Sequence, residues 1–584
     1  MSDLIIRGGT VVDGTGAPAR AADVRVRGGV IREVGPALKP EGEREIDARG
    51  ACVTPGMIEQ HTHFDGQLWW DPDCDPMPAF GTTTIVIGNC GHSLAPIRAA
   101  DRPTFIDLYC FIEDLPNEAF EKAIPWTWQS WPEYARAAAR HPIAINAAPL
   151  VGHTAIRVYV MGEEAWQREA SEAEIDRMVA VLQESLAAGA FGMANGAMDI
   201  DRSGRPVPCR LAGERERRRL YATLKREERI LSHTVRLLEP EHFGPDLAAL
   251  AEDLRATGVR ATWPALMSTP GEEATRAEVL ALHRGFVREG LDLWGQTAAR
   301  PQRGAINFER SILFQGMDAW HEMVNAGREE KARLLRDPAW RGRARSDWDG
   351  VHFCMFPVKR LESLVVGVCK PEFERFRGLP LDRLIEARGG GHPSDVLADW
   401  LVDNGTEGTG FASILPSNGD REGILELLRE PSFITGSSDA GAHIQIMCAA
   451  GESTYVLTEH VRDTGRVSIE EAVHAYSQKQ ARCWGIGDRG VVAPGMAADL
   501  AIFALDELVH PEDEVVRDLP CDSWRYTKSA AGFRATIVNG VPTWFEGKLT
   551  GERPGGMLDP TARAGQSRER SAPARTTMRS TVRG

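Results

Sequence analysis

The stretch Val53–Asp65, V-T-P-G-M-I-E-Q-H-T-H-F-D, constrains this chain more than any other. A strand-like run ends in His61-Thr62-His63, and side chains two apart on a strand point to the same face. Two imidazoles can therefore aim at one point, as the first two ligands of a metal ion must. Pro55-Gly56 punctuates the chain just ahead and marks a boundary with what precedes it.

A chain of 584 residues, 42% hydrophobic and 26% charged, can bury a large core. That length fits several domains or one large barrel. A net charge of −15 argues against nucleic acid as the main partner, because phosphate binding needs a basic face. No apolar run reaches the ~18 residues of a membrane span. The start, Met1-Ser2-Asp3-Leu4, lacks the basic and apolar regions of a signal peptide. Ten cysteines without paired spacings read as reduced thiols, so a cytoplasmic protein is expected.

Residues 4–36 alternate short apolar runs with turn signals, the pattern of a small antiparallel sheet. A matching piece lies near the other end, with Asn539-Gly540 as a hairpin turn between two apolar runs. One β-sandwich built from 1–54 and 489–554 is expected, with 55–488 inserted between its halves. That inserted region alternates strand-like and helix-like segments. Thr82–Gly88 reads as a buried strand, and Ser171-x-x-Glu174 and Ser468-x-x-Glu471 as capping boxes that open helices. The alternation predicts an α/β fold, a (β/α)8 TIM-like barrel. Residues 302–350, rich in Arg, Glu and Trp, break it and read as an insertion over the barrel mouth. Residues 555–584 read as a disordered tail, with six arginines and no aromatic residue from Thr561 onward.

Active sites of such barrels lie at the C-terminal ends of strands. Polar residues that end strand-like runs are His61, His63, Cys90, His153, His233 and Asp439. Imidazole, thiolate and carboxylate form a donor set that suits zinc. His443, four residues after Asp439, reads as a loop histidine near the same mouth.

Six segments then carry a resemblance: P-G-M-I-E-Q-H-T-H-F-D, G-T-T-T-I-V-I-G-N-C-G, L-V-G-H-T-A-I-R, S-H-T-V-R, G-S-S-D-A and D-R-G-V-V-A-P-G-M-A-A-D-L. In this order they resemble the amidohydrolase superfamily, and within it the N-acyl-D-amino-acid deacylases. The resemblance implies a metal-bearing barrel with a β-sandwich, one or two zinc ions, and a small-molecule amide as partner. It implies His61, His63, Cys90, His233 and Asp439 as metal ligands, with Cys90 bridging and Asp439 also moving protons. It places His153 and Arg236 near the substrate, and Arg236 or Arg157 would answer a substrate carboxylate. The chain departs from the pattern once. Trp263-Pro264-Ala265 stand where relatives carry a further histidine ligand and a lysine. A one-metal site of His61, His63, Cys90 and Asp439 survives this change, and His233 then serves a second ion or the substrate. The expected activity is hydrolysis of an N-acyl amino acid. The alternatives are a cyclic amide or other C–N substrate, favoured by Trp320, Trp340 and Trp348, or a barrel that has lost catalysis and binds only.

Overall fold

The computed structural model describes residues 3–236, 240–308, 311–351, 356–406, 410–414 and 417–564. Its centre is an eight-stranded sheet: Met57–Glu59, Thr82–Ile87, Asn146–Gly152, Gly192–Gly196, Ile230–Thr234, Arg260–Trp263, Leu293–Thr297 and Phe433–Thr435, numbered one to eight below. The strands neighbour one another in chain order, and every pair is parallel. Parallel sheets are covered on both faces, which is why Thr82–Ile87 and Asn146–Gly152 are buried at every position. Helices return the chain between strands, and Ser171 caps one of them with Glu174, while Ser468 caps a helix after strand eight with Glu471. Strands one and eight are joined just past their C-terminal ends by a parallel bridge, Thr62 to Ala440.

Side chains of the sheet split between two sides by period two. Ile58, Val86, Ala148, Leu150, Ala194, Ile230 and Ile434 from six strands share one cluster, the inner face. Met193 and Leu231, at alternate positions, pack instead with Leu220, Tyr221 and Leu224 of the covering helix Glu214–Arg226.

Strands from the two chain ends, expected to build one β-sandwich, pair in a single nine-stranded sheet. Cys52–Pro55 pairs antiparallel with Leu500–Phe503, and the Asn539-Gly540 hairpin extends the same sheet. Val24, Val26, Val53, Leu500 and Ile537 from both ends fill one core. Gly56 joins this sheet to strand one, and a Cβ there would fall 2.1 Å from Thr83 Cγ2, so only glycine fits.

Between strands seven and eight, residues 303–414 contribute an added lobe. Its three-stranded antiparallel sheet is Arg303–Asn307, Leu364–Val368 and Gly410–Ile414. Helices Asp318–Asn325, Arg328–Leu334 and Pro338–Gly350 fall within the expected 302–350 insertion, but the lobe runs past it with helices Leu381–Ala387 and Pro393–Asn404 packed on the same core. Trp320, Trp340 and Trp348 are buried in the lobe's own core, so these tryptophans do not line a substrate mouth. Residues 555–564, expected as the start of a disordered tail, are placed against the fold. Gly555 bridges Ile143, Met557 bridges Ala147 and Leu558 is buried; residues 565–584 lie outside the described residues. No helix among the described residues is long and apolar enough to cross a membrane, and all nine described cysteines are unpaired.

Candidate metal centre

Past the end of strand one, His61 and His63 turn their rings toward Cys90, which follows strand two. The three donor atoms lie within 4.8 Å of one another. Cys90 Sγ is 3.4 Å from His61 Nε2 and 3.9 Å from His63 Nε2. Gly88 at φ 81° and Cys90 at φ 56° bend the chain sharply enough to bring the thiol back over the sheet. Asp439 arrives from strand eight, and its Oδ1 is 3.1 Å from His63 Nε2 and 3.8 Å from His61 Nε2. Its backbone N–H donates to the His61 carbonyl at 3.1 Å, and His63 N–H donates to the Ala440 carbonyl at 2.8 Å. The loop after strand eight is thereby pinned to strand one.

Each ring has a partner behind it at Nδ1, a hydrogen bond for His61 and an ion-pair contact without hydrogen-bond alignment for His63, and Nε2 faces the centre. His61 Nδ1 lies 3.1 Å from Gln296 Oε1 of strand seven. His63 Nδ1 lies 3.1 Å from the buried Glu113 carboxylate. Neither Glu113 nor Gln296 carries a sequence signal, because each acts from an element far along the chain. A carboxylate or amide behind a ligand imidazole fixes its tautomer and raises its basicity.

Electrostatics suit a cation. Burial pushes His61 down to about 4, so its ring is neutral with a lone pair to give. Burial pushes the Cys90 thiol up to about 12, so a thiolate here needs a positive partner. Burial opposes ionisation of Asp439, but His63, His443 and His61 pull its carboxyl well below the usual range. The donor chemistry of two imidazoles, a thiol and a carboxylate fits zinc.

The structure places the remaining expected site residues elsewhere. Thr234, on the inner face of strand five, reaches Cys90 Sγ with its hydroxyl at 3.7 Å. His233 therefore lies on the opposite, helix-facing side, where its Nδ1 is 3.4 Å from Asn195 Nδ2. Asn195 Oδ1 accepts from Gly196 N–H at 2.9 Å, which fixes Nδ2 as the donor. Hence His233 Nδ1 is an acceptor and its proton sits on Nε2. His153 belongs to the same network, with Nδ1 3.2 Å from Asn195 Oδ1 and Nε2 2.7 Å from Glu216. Arg157, fully buried, pairs with Glu216 and donates to the Arg168 carbonyl at 2.9 Å. Arg236 forms a two-point pair with Asp246 at 2.9 and 2.6 Å. His153, Arg157 and His233 thus brace strands three to five against their helices. Trp263 turns outward onto Phe243 and Phe433, and its Nε1 donates to His283 Nδ1 at 3.2 Å.

The fold and this donor cluster define a class. The chain belongs to the amidohydrolase family, whose model matches residues 44–343 and 398–544, and it is a hydrolase of carbon–nitrogen bonds other than peptide bonds. The unmatched residues between the two blocks fall inside the added lobe. Among individual proteins, it is 30% identical to the N-acyl-D-aspartate deacylase of Alcaligenes xylosoxydans xylosoxydans, over 96% of this chain and 95% of that one. It is 28% identical to the D-aminoacylase of the same organism, over 96% of this chain and 98% of that one. A crystal structure of D-aminoacylase superimposes with a TM-score of 0.65 at 26% identity, covering 96% of this chain and 99% of that one.

Proposed function

We propose that the chain is a metal-dependent deacylase that cleaves the amide of an N-acyl amino acid, with the D series the first class to test, and that one zinc ion is held by His61, His63, Cys90 and Asp439. The observation that carries this reading is the donor spacing. The donors of His61, His63 and Cys90 lie within 4.8 Å of one another, with Cys90 Sγ 3.4 and 3.9 Å from the two imidazoles, and Asp439 Oδ1 reaches the same two imidazoles at 3.8 and 3.1 Å. When bound, zinc polarises the amide carbonyl and lowers the pKa of water toward about 7. The chain's own residues supply the rest. Asp439 Oδ1 faces the histidines, while its side chain is 31% exposed, against 6% and 1% for His61 and His63. The carboxylate takes a proton from the attacking water as the water oxygen joins the carbonyl carbon. It then returns that proton to the amide nitrogen, a poor leaving group until protonated, as the C–N bond breaks. The products are a carboxylate and an amine.

A second ion has little to bind. Beside Cys90 stands the Thr234 hydroxyl, not an imidazole, and Trp263 points away from the interior. Arg236 and Arg157 are engaged by Asp246 and Glu216, so neither stands ready as a clamp for a substrate carboxylate. The same reading takes the eight strands as a closed (β/α)8 barrel and the terminal sheet as a sandwich folded over its shared core.

The test is zinc content together with turnover of N-acetyl-D- and N-acetyl-L-amino acids on one sample. About one zinc per chain with D-selective turnover is expected. Zinc with turnover of cyclic amides alone would move the substrate class, and no zinc after reloading would overturn the reading. Asp439→Asn is expected to keep most of the metal and lose most turnover; full turnover would remove the proton-carrying role.

A further inference from the structure

The helix Arg102–Ile112 ends in Glu113-Asp114, and these two residues buttress the site from one side. The Glu113 side chain backs His63, and its carbonyl accepts from the His443 backbone N–H at 2.6 Å. The Asp114 carboxylate, buried, lies 2.7 Å from His443 Nδ1. This contact sets the ring with its Nε2 edge toward Asp439, 3.6 Å from Oδ2. Each oxygen of Asp439 thus has an imidazole beside it, Oδ1 with His63 at 3.1 Å and Oδ2 with His443 at ion-pair range, which leaves Oδ2 free of a hydrogen bond from that ring.

The backbone points to the same place. Among the described residues, thirteen non-glycine residues have positive φ, and four of them meet here: Cys90 at 56°, Asp114 at 48°, Asp439 at 64° and His443 at 51°. Such conformations cost on the order of 1–3 kcal/mol each and persist where the surroundings over-determine them. A loop that only linked strand eight to the next helix would have no need to hold Asp439 and His443 in this way. Exposure agrees: the His443 side chain is 21% exposed, so it shares the open side of the site with Asp439.

We propose that His443, oriented by Asp114, is a positioning residue that keeps the free oxygen of Asp439 turned toward the water and the scissile nitrogen. This assignment rests on the reading of Asp439 as the proton-carrying group. It gives Asp114 a role through His443 alone.

The test uses the full chain, stripped of metal and reloaded with Co2+, for wild type, His443→Ala, His443→Gln and Asp114→Asn. The readouts are cobalt uptake, the cobalt visible spectrum, and kcat and KM on N-acetyl-D-amino acids. His443→Ala is expected to take up cobalt as wild type does, to hold KM within about threefold, and to lose about 10–100-fold in kcat. Its cobalt spectrum shifts as Asp439 turns. Asp114→Asn shifts both readouts the same way by less, and adding it to His443→Ala costs nothing further, since both act through one contact. His443→Gln, which can place a nitrogen near Nε2, recovers part of the loss. Should the alanine variant fail to fold, the glutamine and Asp114 variants carry the same comparison. Wild-type kcat and spectrum in His443→Ala would overturn the proposal, as would fully additive losses in the double variant. A wild type that takes no cobalt and turns over no substrate counts against the deacylase reading instead.

Discussion

Replacing His233 by alanine separates two descriptions of the centre. If His233 were a ligand, its loss would lower metal affinity at least as much as the 10–100-fold that outer partners of metal sites typically contribute. In the structure its ring faces the helices, with Nδ1 occupied by Asn195 and Thr234 facing Cys90 in its stead. The cost of His233→Ala should therefore fall on the fold. One buried amide hydrogen of Asn195 loses its acceptor, worth about 1 kcal/mol or slightly more. A half-buried ring leaves a small void that adds about as much again, so the total is roughly 1–3 kcal/mol. On the proposed reading His233 makes no contact with the ion, and that loss should be equal with and without zinc. A true ligand behaves in the opposite way: its removal leaves the metal-free protein nearly unchanged and strips stability from the zinc-bound form, where saturation at 100 times Kd is worth about 2.7 kcal/mol. The assay is urea unfolding of zinc-free and zinc-saturated protein, with zinc affinity by competition against a chromogenic chelator. His61→Ala is the control, expected to lose more than about 100-fold in affinity. The reasoning is refuted if His233→Ala loses zinc as His61→Ala does, or if its destabilisation appears only with zinc bound.

Other consequences follow from single contacts. Glu113→Gln keeps the shape behind His63 but removes the charge; zinc affinity should fall about 10–100-fold, measured with the same chelator, and an unchanged affinity would show that the carboxylate does not support the ring. Trp263→Ala empties a fully buried site between Phe243 and Phe433 and should cost about 3–5 kcal/mol in urea unfolding without lowering zinc stoichiometry; a loss under 1 kcal/mol would mean the site collapses freely. Burial pushes His283 down to about 4. Its folded value is thus below its unfolded value of about 6.5, so protons bind the unfolded chain first, and stability is lost as pH falls from about 6.5 to about 4, by roughly 3 kcal/mol, with no effect above that window. His283→Gln should therefore unfold with a shallower pH dependence than wild type between those limits, and parallel curves would contradict the assignment.

How far this site was legible from the chain depends on what each residue's neighbours could report. His61 and His63 announce themselves, because spacing two at a strand end puts both rings on one face. Cys90 and Asp439 were legible as polar residues after strands, although what brings them to the histidines is backbone in the left-handed region, a feature without a residue signature. Glu113, Gln296 and Asp114 were not legible at all: each looks like an ordinary polar residue until the fold brings its element behind a ring. The terminal pieces showed their hairpins through turn chemistry, but how strands from the two ends pair is set by contacts between segments hundreds of residues apart. The Trp-rich stretch read as a mouth because aromatic residues can line one, whereas Trp320 and Trp340 fill the core that lets the added lobe stand at all.

His233 is the expected ligand that the structure turns away from Cys90, and the cause is the pleat. S-H-T-V-R at the end of strand five offers three adjacent polar residues, and a shift of one position exchanges which of them face inward. Ile230 settles the register: it is buried with Ile58, Val86 and Ile434 on the inner face, so Ser232 and Thr234 face inward, and Leu231 and His233 face the helices. Ile230 and Leu231 are both apolar, so composition cannot say which packs inward; the helix Glu214–Arg226 can, because Leu220, Tyr221 and Leu224 need Leu231 to complete their core. Once Leu231 is committed outward, His233 must follow, and only a polar neighbourhood can receive it there. Asn195, Tyr221, His153 and Glu216 provide that neighbourhood, the last two in turn holding Arg157. The buried network and the proposed single-ion site are thus two consequences of one packing choice: the register that satisfies the helix core turns the His233 imidazole away from Cys90 and leaves a hydroxyl facing it.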